Sequence, residues 1–365
     1  MIIPELPNFL TSLGGFYQKG LIISLFTISA LISRPFSGKI ADKIGRVPVI
    51  ISGSVFCFVC SMLYPIMTTV FGFLLLRFFH GFSTGFTPTG QTAYISDIIP
   101  HDRRGEAMGF LGTAGTLGMA GGPAIGGLIS ETYSTQAMFY CSSACALISI
   151  FIMLGIKETM TEKYSLGIKI FKIRKQDLFE PKVLVPCVIM ALCSFAFGNF
   201  LTIIPDWTES LEIKNKGLLF TYFTVSSLLI RLLAGRASDL YGRANVLKIS
   251  TLMMAFSMFW MSFSISKDFF IIGVFLYGLA HGATSPTLLA WASELSPTEH
   301  KGRGIASLYM FMEFGIGAGA VISGFIYQNQ IPRIWLTFFV CGSLCVSAFI
   351  FLGLNQYFNL ASKKI

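Results

Sequence analysis

Along almost the whole chain, apolar runs of about 20 residues alternate with short polar stretches. A helix of about 20 residues spans the hydrocarbon core of a bilayer. The runs predict helices near 18–38, 47–67, 69–97, 104–130, 134–156, 183–205, 217–236, 244–264, 269–294, 302–328 and 333–357, eleven in all. Glycine and proline recur inside them, which membrane helices tolerate better than soluble ones. Glycines four apart, as at Gly118, Gly122 and Gly126, permit close helix packing. The pattern predicts an all-α membrane protein.

Composition narrows the class. Of 365 residues, 53% are hydrophobic and 12% charged, with a mean hydropathy of +0.69; a soluble domain carries about 25% charged residues. The formal charge of +9 raises nucleic acid as a partner, but the charges sit in short stretches between apolar spans, which argues against it. One set of stretches holds Lys39, Lys43 and Arg46, Arg103 and Arg104, Arg236 and Arg243, Lys301 and Arg303, and the tail Lys363 and Lys364. The alternate set holds Lys19, Lys214, Lys216, Lys267 and Arg333. The positive-inside rule then places the first set, the Lys-rich stretch 157–182 and the C-terminus in the cytoplasm of a cell with a bacterial inner or plasma membrane. The expected organisation is an N-terminal helix bundle at 1–156, a cytoplasmic linker at 157–182 and a C-terminal bundle at 183–365. The linker reads as a solvated tether or a contact for anionic lipid. All eight cysteines lie in apolar spans. Cys141/Cys145 and Cys341/Cys345 share a four-residue spacing, without His or acidic neighbours in sequence, so they read as packing residues rather than metal ligands.

The chain also repeats itself. Residues 34–46 read RPFSGKIADKIGR and residues 231–243 read RLLAGRASDLYGR, a constant shift of 197 (38 to 235). The shift carries Lys19-Gly20 onto Lys216-Gly217, Gly81 onto Gly278, Gly85 onto Gly282, Asp97 onto Glu294, Pro100 onto Pro297 and Gly105 onto Gly302. Such a repeat in an apolar chain indicates a transporter built from two equivalent halves. Ile2-Ile3-Pro4 resembles Ile203-Ile204-Pro205 at the end of the predicted span 183–205, so most of the corresponding span of the first half is expected to be missing from this sequence.

These residues resemble the major facilitator superfamily, over nearly the whole chain. Its G-x-x-x-D-x-x-G-R signature, on the loop between the second and third helices of each half, is met by Gly38, Asp42, Gly45 and Arg46 and again by Gly235, Asp239, Gly242 and Arg243. The resemblance implies two pseudo-symmetric six-helix bundles and a gating latch, in which the arginines reach Asp97 and Glu294 at the ends of the fourth helices. Physically, glycine permits tight turns and close approach, and an aspartate at a membrane edge needs a helix N-terminus or a basic partner. A second signature, R-x-x-Q-G, reads Arg77-Phe78-Phe79-His80-Gly81, with His80 in place of glutamine. Arg77, costly inside an apolar span, is implied to face the cavity and serve coupling or substrate binding; His80 either titrates or packs through a hydrogen bond. A third, resembling the antiporter pattern of drug and metabolite exporters, is met by Gly109, Gly118, Gly122, Pro123 and Gly126. Its second-half counterpart keeps Gly315, Gly319 and Gly324 but has Ala320 for the proline.

Glu313 is a lone acid deep in an apolar span, with no basic residue within a turn and Thr116 at its symmetric position. Such a carboxylate binds a proton or attracts a cation. His281, Asn199, Gln91 and Tyr94 are weaker cavity candidates. No phosphate-binding loop, metal cluster or nucleophile–His–acid set is visible, so neither an enzyme nor a cofactor is expected, and an ion gradient is the expected drive. The expectation is a monomeric transporter handling a small molecule and protons by alternating access, exporting a hydrophobic or cationic compound. The alternatives are uptake of a sugar or other small metabolite, or a non-transporting scaffold or sensor.

Overall fold

A computed structural model describes residues 1–2, 5–15, 18, 21–160, 178–210, 218–264, 266–328 and 330–362. Among these, a short helix α1 (Leu6–Ser12) precedes eleven long ones: α2 (Leu21–Lys43), α3 (Arg46–Leu63), α4 (Val70–Ile98), α5 (Arg104–Thr132), α6 (Thr135–Leu154), α7 (Leu184–Ser210), α8 (Leu218–Tyr241), α9 (Arg243–Ser262), α10 (Lys267–Leu295), α11 (Lys301–Tyr327) and α12 (Ile334–Ser362). No strand occurs among the described residues. Among the described residues, seven segments are long and apolar enough to cross a membrane: Arg46–Ile66, Thr135–Leu154, Pro181–Ile204, Arg243–Ser262, Lys267–Leu295, Thr298–Tyr327 and Ile331–Gln356. Helix α4 is not among them; Arg77, His80 and a run of Gly, Ser and Thr lower its hydropathy.

Several helix ends extend beyond the sequence reading, for local reasons. Helix α7 runs through Pro205 to Ser210, since a proline forfeits one backbone bond without stopping a membrane helix. Helix α2 runs to Lys43 and α8 to Tyr241. Gly38 and Asp42, and likewise Gly235 and Asp239, therefore lie in terminal helical turns rather than on loops. The reversal is left to Gly45 (φ 145°) and Gly242 (φ 86°), each the residue before the next helix. Those angles suit a residue without Cβ.

The chain forms two compact units. Unit 1 comprises Met1–Ile98, Leu117–Pro181 and Ser296–Met310; unit 2 comprises Ile99–Thr116, Lys182–Leu295 and Phe311–Ile365. In unit 1, α2 and α3 pack on α4, and α6 on α3; in unit 2, α8 and α9 pack on α10, and α12 on α9 and α7. Small residues set the closest approaches at matching places. A side chain at Gly81 or Gly85 would strike the Ser29 or Ser33 hydroxyl of α2, and one at Gly278 the Ser226 hydroxyl of α8. Those serines bond carbonyls of their own helix, Ser29 to Phe26 O at 3.0 Å and Ser226 to Phe223 O at 3.0 Å, so burial leaves them satisfied. Residues 161–177, most of the expected linker, lie outside the described residues, as do Ile3, Pro4, Lys19, Gly20, Lys214, Lys216, Gly217, Lys363 and Lys364.

Candidate functional site

The end of α2 carries Asp42 to the start of α11, within unit 1. Its carboxylate accepts the backbone N–H of Gly302 at 2.6 Å and of Arg303 at 2.8 Å. The first N–H groups of a helix lack intrahelical partners and carry the positive end of its dipole, so a carboxylate there is doubly favoured. Arg46 Nη1 donates to Asp42 at 2.9 Å and Arg46 Nε to Asp97 at 3.0 Å. Burial pushes the Asp42 carboxyl up, against the pull of the Arg46 charge and the two amide donors. The contact is close because Gly38 and Gly302 are small: a side chain on Gly38 would meet Ala306 Cβ at 2.8 Å, and one on Gly302 would meet Ala41 Cβ at 2.7 Å.

Unit 2 repeats the arrangement. Asp239 accepts the N–H of Gly105 at 2.8 Å and of Glu106 at 3.0 Å, at the start of α5. Arg243 Nη2 lies 2.5 Å from Asp239 and Arg243 Nε 3.1 Å from Glu294. Gly235 sits against the backbone of Gly105.

Several participants were not among the candidate site residues read from sequence. Lys301 Nζ donates to Asp97 at 2.8 Å, and Arg303 Nε to Glu180 at 3.0 Å. Glu158 accepts the N–H of Arg46 at 3.0 Å and of Val47 at 2.9 Å, capping α3, and Thr159 Oγ1 donates to Asp97 at 2.9 Å. Lys301 and Arg303 carried a signal, as basic residues at a repeated loop; Glu158 and Glu180 sat in a stretch that reads as a tether. Deeper in unit 1, buried Arg34 donates to Thr89 Oγ1 at 3.1 Å and stacks 4.4 Å over the Tyr309 ring, whose hydroxyl lies 3.2 Å from Thr92 Oγ1. Its repeat partner Arg231 donates to Ser227 Oγ at 3.3 Å and packs against Gly112 of α5. Gly112 is the symmetric mate of Tyr309 under the 197-residue shift.

Arg77 is buried on α4. Its Nε donates to Ile22 O at 3.1 Å, and its guanidinium lies 4.1 Å over the Phe26 ring, both on α2. A carbonyl and a ring face together compensate a cation far better than hydrocarbon alone. His80 Nδ1 lies 3.1 Å from the Tyr64 hydroxyl, and its ring meets Phe26 edge-on at 5.9 Å. The histidine is thus a hydrogen-bonded packing residue in this arrangement. Glu313 is buried on α11 and engaged by its surroundings rather than lone.

Of the exporter-like glycines on α5, Gly122 and Gly126 face the backbone of Met1, while Gly118 faces open space instead of a packed helix. Gly109 O accepts from Thr113 Oγ1 at 2.9 Å. The side chain of Pro123 lies outside the described ones. On α11, by contrast, Gly315 and Gly319 notch against α7 at Ala191 O and Phe195 O. Among the weaker candidates, His281 stacks on Phe197 at 5.1 Å, Tyr94 donates to Lys157 O at 3.1 Å, and Gln91 is half-buried. Both polar atoms of buried Asn199, the Tyr277 hydroxyl and His281 Nδ1 have no hydrogen-bond partner among the described residues.

Long apolar helices, an internal repeat and paired carboxylate-capped helix termini define a polytopic helical membrane protein with two related charged turns. The sequence profile of the Major Facilitator Superfamily matches residues 1–216 and 186–359, and the chain belongs to that superfamily of membrane transporters. It is 25% identical to the multi-drug resistance efflux pump PmrA of Streptococcus pneumoniae, over 100% of this chain and 93% of that protein. It is 23% identical to multidrug resistance protein 1 of Bacillus subtilis, over 91% and 86%. The crystal structure of the human organic anion transporter MFSD10 superposes with a TM-score of 0.79 at 18% identity, over 96% of this chain and 88% of that one.

Proposed function

We propose that this transporter is a proton-coupled exporter of a small hydrophobic or cationic molecule, and that Asp42–Arg46–Asp97 and Asp239–Arg243–Glu294 are its two gating latches. The observation that carries the gating role is the capping of α11 by Asp42 and of α5 by Asp239. Separation of α2 from α11, or of α8 from α5, must break charged hydrogen bonds and leave buried groups unpaired, so the bonds bias the conformational equilibrium. Alternating access by bundles 1–156 and 183–365, joined by the cytoplasmic linker 157–182, is the motion this reading requires. Export is favoured by the glycine and proline pattern of α5 and by relatives named for drug resistance and efflux. Arg77 and Glu313 are assigned to coupling and substrate charge, with His80 positioning Tyr64 beside Arg77. Unpartnered Asn199 and Tyr277 are candidate substrate hydrogen-bonding groups.

The test uses everted vesicles containing the protein. Substrate addition should release protons from the lumen, and Glu313→Gln or Arg77→Ala should abolish that response. Retained coupling in both variants would remove the site assignment. Higher cellular accumulation of the compound with the protein present would favour the uptake reading instead.

A further inference from the structure

The 197-residue shift supplies an internal control for a groove in unit 2. A hollow of about 400 Å³ lies among α8, α9 and α10. Its floor is made of small or flexible residues, notably Ala234, Ala237, Met253, Leu279 and Ala283. At the matching places the first repeat has Ser37, Ile40, Phe56, Phe82 and Phe86. There the rings fill the space: Phe56 and Phe82 lie 5.2 Å apart, and Phe82 stacks on Phe86 at 6.3 Å, within a cluster that includes Ile40 and Val49. Rings and Ile40 occupy the matching places of the first repeat, where the second has Leu, Met and Ala around its hollow. An unfilled hollow forfeits dispersion contacts along its lining, so an occupant that supplies them is favoured.

The surroundings identify that occupant. The lips are Leu233, Tyr241 and Ile249, exposed by 66%, 71% and 71%. In a multi-pass membrane protein such side chains meet bilayer hydrocarbon, which is present as solvent. The polar lining groups are self-satisfied: Asn245 Nδ2 donates to Tyr241 O at 3.0 Å and Ser250 Oγ to Leu247 O at 3.2 Å. Exposed Arg236 immediately precedes Ala237 of that lining, and a cation beside an acyl-chain slot complements a phosphate. We infer that the groove holds one acyl chain of an anionic phospholipid, with its phosphate at Arg236.

Native mass spectrometry of the purified protein in mild detergent, titrated with phosphatidylglycerol or phosphatidylethanolamine, tests this. One phosphatidylglycerol should be retained per chain. Leu279→Phe with Ala283→Phe, which restores the first repeat's residues, should reduce retention to background, and Ala237→Ile alone should do so partly if the double variant folds poorly. Arg236→Gln should lower the preference for phosphatidylglycerol by about fivefold without abolishing acyl binding. Equal lipid retention in both filled variants would overturn the inference. So would stoichiometric displacement of the lipid by micromolar tetraphenylphosphonium, which would make the groove a site for hydrophobic cations.

Discussion

Asp42 and Asp239 occupy symmetric positions and cap symmetric helices, yet the two turns differ in what else holds the capped helix. In unit 1, the first turn of α11 is also held by Lys301 on Asp97 and by Arg303 on Glu180, and α3 is capped by Glu158. In unit 2, Glu106 stands where Arg303 stands, so an acid replaces the base that would reach a carboxylate. Glu158 and Glu180 flank the stretch between the repeats, which has no second copy. A duplicated motif thus gives the same first contact twice, and Glu158 and Glu180, from unduplicated sequence, add bonds to Arg46 and Arg303 in unit 1.

The sharpest way to break this comparison is to remove each aspartate. Asp239→Ala strips the α5 amides of their acceptor and leaves Arg243 with one carboxylate fewer. Losing one partner of a buried pair costs about 3–5 kcal/mol, and transport with thermal stability in detergent should both fall steeply. Asp42→Ala should be milder, because Lys301 and Arg303 still tether α11, and should become as severe when Arg303→Ala is added. Equal damage from the two single variants would dismiss the reinforcement argument.

A second contrast lies deeper. Gly112→Ala forces a methyl group into the Arg231 guanidinium, an overpacking cost of about 1–3 kcal/mol. Tyr309→Phe at the matching place keeps the ring over Arg34 and loses the hydroxyl's bond to Thr92, about 0.5–1.5 kcal/mol. Melting temperatures of the two variants should rank accordingly.

The turn glycines provide the third. Both Gly45→Ala and Gly242→Ala incur strain of about 1–3 kcal/mol from positive φ. A Cβ on Gly45 also collides with Glu158, whereas one on Gly242 meets nothing within 4 Å. Gly45→Ala should therefore be the less stable protein. The smallest effect is expected from Glu158→Gln, about 1 kcal/mol for a weakened cap. Added to Gly45→Ala it should cost almost nothing further, since that collision already displaces the carboxylate. An additive double variant would show that Glu158 does not cap α3 in the working protein.

Much of the architecture was legible in residue order. Eleven apolar runs give eleven long helices because span length is fixed by the bilayer and by 1.5 Å of rise per residue. The repeat marked Asp42 and Asp239, and the resemblance pointed Arg46 and Arg243 at Asp97 and Glu294, which they meet; their added bonds to Asp42 and Asp239 form across the reversals at Gly45 and Gly242. The sequence could not say which amides those carboxylates would meet, since Gly302 and Gly105 are 260 and 134 residues away. Arg34 was visible only as a repeated letter; Tyr309, brought over it from α11, makes it a stacked cation. Glu313 looked solitary in sequence, yet its buried side chain is engaged in the fold. Period, length and charge along one chain determine where helices form and which faces are polar. Which faces meet, which hollow stays open and which carboxylate caps which helix are decided by packing between distant segments.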